Sequence, residues 1–180
     1  HDLKHYIHEL QRLENPENQE LEEVLTQVEA YESAFQTGNA ALDIVLTQKK
    51  LVCQQKGISF TCMADGTALH FMKTLDIASL FGNALDNAIE HEKKEKAENR
   101  YIFLKILQKG KMVSIRIENY CETFPELSEV GLPVRSSKKD SELHGYGTKS
   151  MQYIAEKYGA NFRIFSEKNL FVVSMLFPIE

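Results

Sequence analysis

The sequence predicts an α+β protein, in which an N-terminal antiparallel helical hairpin forms a dimeric four-helix bundle and a two-layer α/β sandwich follows it. The sandwich is expected to have a mixed sheet with helices on one face. Three observations lead to this prediction. Helix-spaced apolar residues fill the first 35 positions, alternating strand-like segments then flank one long helix, and two more strands follow a last helix. A length of 180 residues suits one domain with an appendage.

The predicted hairpin rests on a heptad-like spacing of apolar residues on both sides of a proline-containing break, "ENPENQE". The apolar positions are Leu3, Ile7, Leu10 and Leu13 in the first helix, and Leu21, Val24, Val28, Tyr31 and Phe35 in the second. Each stripe is too narrow to be covered by the other alone. Residues 1–37 are therefore expected to form a homodimer with a second copy; the alternative is packing against the rest of the chain.

The balance of acidic and basic residues changes where the predicted hairpin ends. Residues 1–37 hold nine acidic and two basic side chains, whereas the other 143 residues hold 17 and 19. The acidic segment argues against binding to nucleic acid. The sparse, irregularly spaced cysteines fit reduced thiols on the cytoplasmic side. Because the chain opens without Met inside a helical pattern, we expect a fragment whose membrane-anchoring part lies upstream.

The remaining residues, 38–180, predict the sandwich in chain order. A helix is expected from Ala40 to about Lys56 with Gly57 closing it, followed by the strand "ISFTCMA". A longer helix is expected from Leu75 to about Lys94, with Asp76 as its N-cap. The segments "YIFLKIL" and "MVSIRIEN" then form a hairpin through "QKGK".

The second half of this region begins with a long irregular segment. Residues 120–146 have two prolines and no sustained period, which is typical of a functional lid. A helix is expected at about Gly147–Tyr158, ended by Gly159. The strands "NFRIFSE" and "LFVVSMLF" follow, joined by a turn at Lys168–Asn169.

The long helix contains "FGNALDNAIEHEKK", in which two asparagines share one stripe. Its apolar face is formed by Ile77, Phe81, Ala84, Leu85 and Ala88, and its polar stripe by Asn83, Asn87 and Glu90. Asparagine is a poor helix former, but its amide oxygen is a hard ligand that Mg²⁺ accepts. The alternative is a solvated helix face. His8 and His91 are interpreted as exposed helix residues.

The segment "HGYGTKS" at 144–150 places Gly145 and Gly147 where a helix begins. Glycines there let backbone N–H groups approach a phosphate, and the helix N-terminus favours its negative charge. The alternative is a glycine-rich hinge. The chain has no nucleophile elbow, no zinc-ligand spacing and no Walker loop, which argues against the enzyme classes that use them.

Three of these segments carry a family resemblance. "FGNALDNAIEHEKK" resembles the N-box of the GHKL (Bergerat-fold) ATP-binding domains, which gyrase-type ATPases and sensor histidine kinases share. "RSSKKDSELHGYGTKSMQYIAEKYGA" resembles the end of their lid and their second glycine box. "HDLKHYIHEL" resembles the phosphoacceptor box of kinases of the Gram-positive peptide quorum-sensing type. The boxes occur in the family's order across essentially the whole chain.

The resemblance implies roles for individual residues. His1 would be phosphorylated by ATP, Asp2 would orient its ring or accept its proton, and His5 would aid dephosphorylation. Taken alone, His1 is as well explained as a terminal residue without a role. The implied nucleotide-binding residues are Asn83, Asn87, Lys138, Lys139, Gly145 and Gly147, with Asn87 also ligating Mg²⁺.

The sequence departs from the family at two places. The adenine-binding box D-x-G-x-G should follow "VSIRIEN", where this chain has "NYCETFPEL"; either Asn119 or Glu122 could replace the missing carboxylate. Thr148 stands where the family generally has leucine. The resemblance implies a histidine kinase core that autophosphorylates and passes phosphate to a response-regulator receiver domain in two-component signalling. The alternative is a non-catalytic, nucleotide-responsive or structural dimerisation module.

Overall fold

The computed structural model describes residues 35–127, residue 131 and residues 144–180. Almost all of the predicted hairpin, including His1, Asp2, His5 and His8, lies outside the described residues. So do Lys138 and Lys139 in the predicted lid. No helix within the described ranges combines the length and the apolar character needed to cross a membrane.

In the part of the chain that the structure describes, a five-stranded mixed sheet forms one layer. Its strands are β1 (Ser59–Ala64), β2 (Tyr101–Lys109), β3 (Met112–Tyr120), β4 (Asn161–Glu167) and β5 (Leu170–Pro178), in the order β1-β2-β3-β5-β4. The β1 and β2 strands pair in parallel, and the other three pairs are antiparallel. Both predicted turns are present. Lys109 pairs with Met112 around Gly110 (φ 58°), and Lys168 (φ 53°) lies between β4 and β5. The mixed sheet is thereby confirmed.

Within the described ranges, three α-helices form the other layer: α1 (Ala40–Gln55), α2 (Thr74–Glu92) and α3 (His144–Lys157). The α2 helix lies between the other two and contacts β2 and β3, while α1 contacts β1 and α3 contacts β4. Alternate residues of β2 and β3 are buried, as expected of strands with one face covered by helices. The most deeply buried of them are Ile102, Leu104, Ile106, Val113, Ile115 and Ile117. The predicted apolar face of α2 is buried throughout, which confirms helices on one face.

Hydrogen bonds near the start of α1 hold the residues that lead into the domain. Asn39 caps α1 by accepting a hydrogen bond from the Leu42 N–H at 3.1 Å. Thr37 donates its N–H and its hydroxyl to Asp43 Oδ1 at 2.8 and 2.6 Å. Gly66 donates its N–H to the Thr37 carbonyl at 2.8 Å. Residues 35–39 are therefore bonded both to α1 and to the short 3₁₀ turn Gly66–Leu69.

The predicted N-cap of α2 is wrong. The helix begins at Thr74 after Lys73, and no side chain caps it. Asp76 lies in the first turn, where it accepts hydrogen bonds from Lys157 Nζ at 2.7 Å and from the Tyr158 hydroxyl. The Tyr158 hydroxyl also accepts from the Lys73 N–H at 2.9 Å. Asp76 is engaged by α3 because α2 and α3 pack side by side, so its carboxylate ties the start of α2 to the end of α3.

Candidate functional site

A cavity of about 200 Å³ lies between α2, the start of α3 and the strands β3, β4 and β5. Its apolar wall comes from Ile117, Met151, Ile164, Phe171 and Val173. The polar groups at its edge come from Asn87, Glu90, His91, Lys94, Asn119 and Thr148. A mostly apolar cavity with a few converging polar groups is the usual form of a small-molecule site.

The two asparagines of α2 make different contacts. Asn87 lines the cavity, and its amide Nδ2 lies 3.5 Å from the Thr148 hydroxyl on α3. Asn83 donates to Ser79 at 3.3 Å and to Ser150 at 3.2 Å, and it is not among the described residues of the cavity wall. The polar stripe predicted on α2 therefore faces α3, with only its C-terminal part reaching the cavity.

The glycines lie inside α3. The helix begins at His144, three residues earlier than predicted, so Gly145 and Gly147 both belong to its first turn. A Cβ atom on Gly147 would lie only 3.2 Å from Asn87 Oδ1 and 3.3 Å from Nδ2. The absence of a side chain at this position lets the backbone of α3 approach the Asn87 amide.

Asn119, rather than Glu122, reaches the cavity from the end of β3. Asn119 is 4% exposed and lines the cavity, whereas Glu122 is exposed in the loop that follows. The Asn119 amide Nδ2 donates to Glu92 Oε1 at 3.1 Å and to the Tyr120 carbonyl at 2.9 Å. Of these two residues, Asn119 is therefore the one that can contact a ligand in the cavity.

Glu92 is a buried residue that sequence reasoning misses. Its side chain is fully buried, and its Oε2 accepts the Tyr101 N–H at 2.7 Å. Buried carboxylates are costly unless they are hydrogen-bonded, and both oxygens are bonded here. The signal is present in the helical spacing, because Glu92 lies four residues after Ala88 and seven after Leu85, on the apolar face.

The prediction that His91 is exposed is wrong. Only 34% of its side chain is exposed, and it lines the cavity because the last turn of α2 lies against the end of β3. Its Nδ1 lies 3.3 Å from Asn119 Nδ2, and its Nε2 lies 3.6 Å from Cys121 Sγ. Burial raises the pKa of the Cys121 thiol, which donates to the Thr123 carbonyl at 3.1 Å. The thiol is therefore protonated at neutral pH.

The side chains near the cavity suit a metal ion only if a bound ligand supplies further oxygen atoms. In the part of the chain that the structure describes, no three His, Cys, Asp or Glu side chains are grouped to hold a metal. Asn87 offers one hard amide oxygen. Mg²⁺ is commonly held by one or two protein oxygens together with phosphate oxygens and water, so Asn87 fits that mode of binding.

Comparison with known proteins places these features in a family. Residues 72–178 match the family model described as the GHKL domain. The matched range includes α2, α3, the strands β2 to β5 and every lining residue of the cavity. A comparison with curated protein sequences finds no match.

Several solved structures are similar in fold. The catalytic domain of the histidine kinase ThkA superposes with a TM-score of 0.59 at 19% identity, covering 77% of this chain and 90% of that one. A mycobacterial sensor histidine kinase, MprB, gives a TM-score of 0.52 at 12% identity, covering 77% and 93%. The histidine kinase domain of Erythrobacter litoralis EL346 gives 0.52 at 13% identity, covering 99% and 93%. At these identities the likeness shows a shared fold.

Proposed function

The chain belongs to the GHKL family, and from this premise we propose that it is the catalytic core of a sensor histidine kinase. It would bind Mg-ATP, phosphorylate His1 and pass the phosphate to an aspartate of a response-regulator receiver domain. The observation that carries the proposal is the grouping of Asn87, Asn119 and the Asn87-Gly147 contact around one cavity.

The shape and chemistry of the cavity support a nucleotide. Its apolar wall suits the faces of a purine base, and Asn119 offers a polar group for the edge of that base. Asn87 also lines the cavity, and it lies beside Gly147 in the first turn of α3. The N-terminus of a 14-residue helix favours an anion, so the phosphates belong on this side.

Asn87 is the proposed ligand of Mg²⁺. When bound, Mg²⁺ would neutralise charge on the phosphates, which is a main requirement of phosphoryl transfer. The contact of Asn87 with Thr148 is made by the amide nitrogen, at 3.5 Å, which leaves the amide oxygen for another partner. The proposed binding set also includes Asn83, Gly145, Lys138 and Lys139, and the two lysines would approach the phosphates from the predicted lid.

The phosphoacceptor role of His1 rests on the resemblance of "HDLKHYIHEL" and on the chemistry of histidine. A histidine with a pKa of about 6.5 is substantially neutral near pH 7 and can attack phosphorus through a ring nitrogen. Asp2 would fix the tautomer of the ring. Homodimerisation through residues 1–37, and a membrane-anchored sensor region of the quorum-sensing type upstream, are parts of the same proposal.

Incubation of the full chain with γ-labelled radioactive ATP and Mg²⁺ tests the kinase assignment. We expect label on the unsubstituted chain, none on His1→Gln and undiminished label on the matched control His8→Gln, because only His1 carries the phosphoacceptor role. Equal labelling of the unsubstituted chain and His1→Gln would contradict the assignment.

A non-catalytic dimerisation module, either nucleotide-responsive or purely structural, is the second candidate, favoured by the missing D-x-G-x-G box after β3. Calorimetric titration with Mg-ADP separates nucleotide binding from catalysis. We expect Asn87→Ala to abolish measurable affinity, and Asn83→Ala to reduce affinity less, because Asn83 is bonded to Ser79 and Ser150. Binding without any labelling of His1 would support the nucleotide-responsive form of the second candidate, whereas no binding at millimolar nucleotide would support its purely structural form.

A further inference from the structure

We propose that Glu92 determines which purine the cavity accepts, by fixing the orientation of the Asn119 amide. Glu92 is a positioning residue in this proposal, since it acts through Asn119 and does not line the described cavity wall. The inference rests on the proposed function, because it takes the occupant of the cavity to be the base of a nucleotide.

The position of the Glu92 carboxylate is set by the backbone. Its Oε2 accepts the N–H of Tyr101, the first residue of β2, at 2.7 Å. Its Oε1 is then directed at Asn119 Nδ2, 3.1 Å away. The side chain is fully buried, which keeps both oxygens away from the solvent. The carboxylate therefore presents an acceptor to Asn119 from a fixed place.

These contacts leave one orientation for the Asn119 amide. Nδ2 also lies 2.9 Å from the carbonyl oxygen of Tyr120, a group that can only accept. With acceptors on both sides, the two hydrogens of the amide nitrogen are used inside the protein. Among the described residues no donor bonds to Asn119 Oδ1. The amide thus presents its oxygen as the polar atom available to an occupant of the cavity.

An acceptor in this place selects among purines by their 6-position. Adenine carries an amino group there and donates a hydrogen bond, whereas hypoxanthine and guanine carry a carbonyl oxygen. Two facing acceptors would leave both groups unpaired when buried, which is costly. A carboxylate is an acceptor in either orientation, but an amide reads the base reliably only when a neighbour holds it in one orientation. Glu92 provides that neighbour.

Calorimetric titration of the full chain with Mg-ADP and Mg-IDP measures the selection, because the two nucleotides differ at the 6-position and in the N1 proton that accompanies the 6-carbonyl of hypoxanthine. We expect the unsubstituted chain to prefer ADP by about tenfold or more. In Glu92→Gln the side-chain oxygen is required by the Tyr101 N–H, so the amide nitrogen would face Asn119 as a donor. The Asn119 amide would then turn, and the preference for ADP should fall to near one or reverse. The matched control Glu95→Gln should keep the preference, because the Glu95 carboxylate lies near His91 and makes no bond to Asn119.

A rescue variant separates orientation from general damage to the fold. Glu92→Gln combined with Asn119→Asp places an acceptor at the cavity again, with the glutamine nitrogen donating to it, so the preference for ADP should return. An unchanged preference in Glu92→Gln, or no return in the double variant, would overturn the inference. Equal affinity of the unsubstituted chain for ADP and IDP would overturn it without any variant and leave the proposed function intact. If neither nucleotide binds, the proposed function fails as well.

Discussion

Two asparagines four positions apart on α2 serve different parts of the protein. Asn83 bonds to serines on α2 and α3 and joins the two helices. Among the described residues, Asn87 makes one long hydrogen bond, to Thr148, and it lines the cavity. An asparagine can therefore join two helices or remain available to a ligand, depending on which hydrogen-bond partners lie near its amide. The surroundings of the Asn87 amide depend on Gly147, because the missing side chain there lets the backbone of α3 come close.

Gly147→Ala tests this dependence. The new Cβ would lie 3.2 Å from Asn87 Oδ1, so the amide must move by a few tenths of an ångström. We expect Mg-ADP affinity to fall by about tenfold, equivalent to about 1.4 kcal/mol, in calorimetric titration. The free energy of unfolding should change by no more than about 1 kcal/mol, since alanine favours helix and the amide end can yield.

Gly82→Ala on α2 is the matched control for this substitution. A Cβ on Gly82 meets no atom within 4 Å, so affinity should be unchanged and stability should rise by up to about 1 kcal/mol. Unchanged affinity in both variants would mean that the approach of α3 to Asn87 has no part in binding.

At the scale of secondary-structure elements, Asp76 joins the start of α2 to the end of α3 through Lys157 and Tyr158, and the strength of this contact depends on pH. Hydrogen bonds from Lys157 and then Tyr158 hold the pKa of the Asp76 carboxyl below its ordinary value of 3.8. A carboxyl with a lowered folded pKa stabilises the protein fully above its unfolded pKa, and loses that contribution as pH falls through the folded value.

We therefore expect Asp76→Asn to lower the free energy of unfolding at pH 7, by an amount that shrinks below about pH 4. Denaturant titrations at pH 7 and pH 3 measure the two differences. Asp86→Asn, which removes the exposed α1-α2 pair of Asp86 with Lys49, should cost less at pH 7. An equal loss for Asp76→Asn at both pH values would contradict the proposed contribution of the charged form.

The elements differ in how far the sequence can predict them. Strands such as β2 and β4 are predicted to within two residues at either end, because one buried face imposes a two-residue alternation that is visible in the sequence. The sequence places the start of α3 too late, since its glycines resemble a loop, and at Gly147 the close approach to Asn87 explains a glycine inside a helix. Asp76 resembles a cap in the sequence because the partner that engages it lies 81 residues away.

The sequence predicts the residues of the candidate site that lie on one helix better than those whose role depends on contact between the helix and a strand. The spacing of Asn83 and Asn87 on one stripe can be read from the sequence. The buried Glu92 and the half-buried His91 depend on the end of β3 lying against the last turn of α2. The choice between Asn119 and Glu122 likewise needs the strand's exact end, which a hydrophobic pattern leaves uncertain by a few residues.

In the molecule as a whole, the packing of Gly66 against the entering chain links the domain to what precedes it. A Cβ on Gly66 would lie 2.2 Å from the Thr37 hydroxyl oxygen and 2.8 Å from the Asn39 Cβ, so the chain would have to move. We expect Gly66→Ala to lower the free energy of unfolding by about 1–3 kcal/mol in denaturant titration, as overpacking usually does.

Because Gly66 packs against Thr37 and Asn39 and is not among the described residues that line the cavity, the same variant should reduce labelling of His1 more than affinity for Mg-ADP. Calorimetry and the labelling assay on one preparation compare the two losses. Equal losses would show that the damage spreads through the whole domain and is not confined to the junction.

The bonds that hold residues 35–39 to α1 and to Gly66 also limit how the domain can respond to movement. A junction fastened at several points transmits torque, where a slack one would absorb it. A twist applied upstream of Phe35 must therefore either swing the sheet and its helices together as one body or break these bonds first.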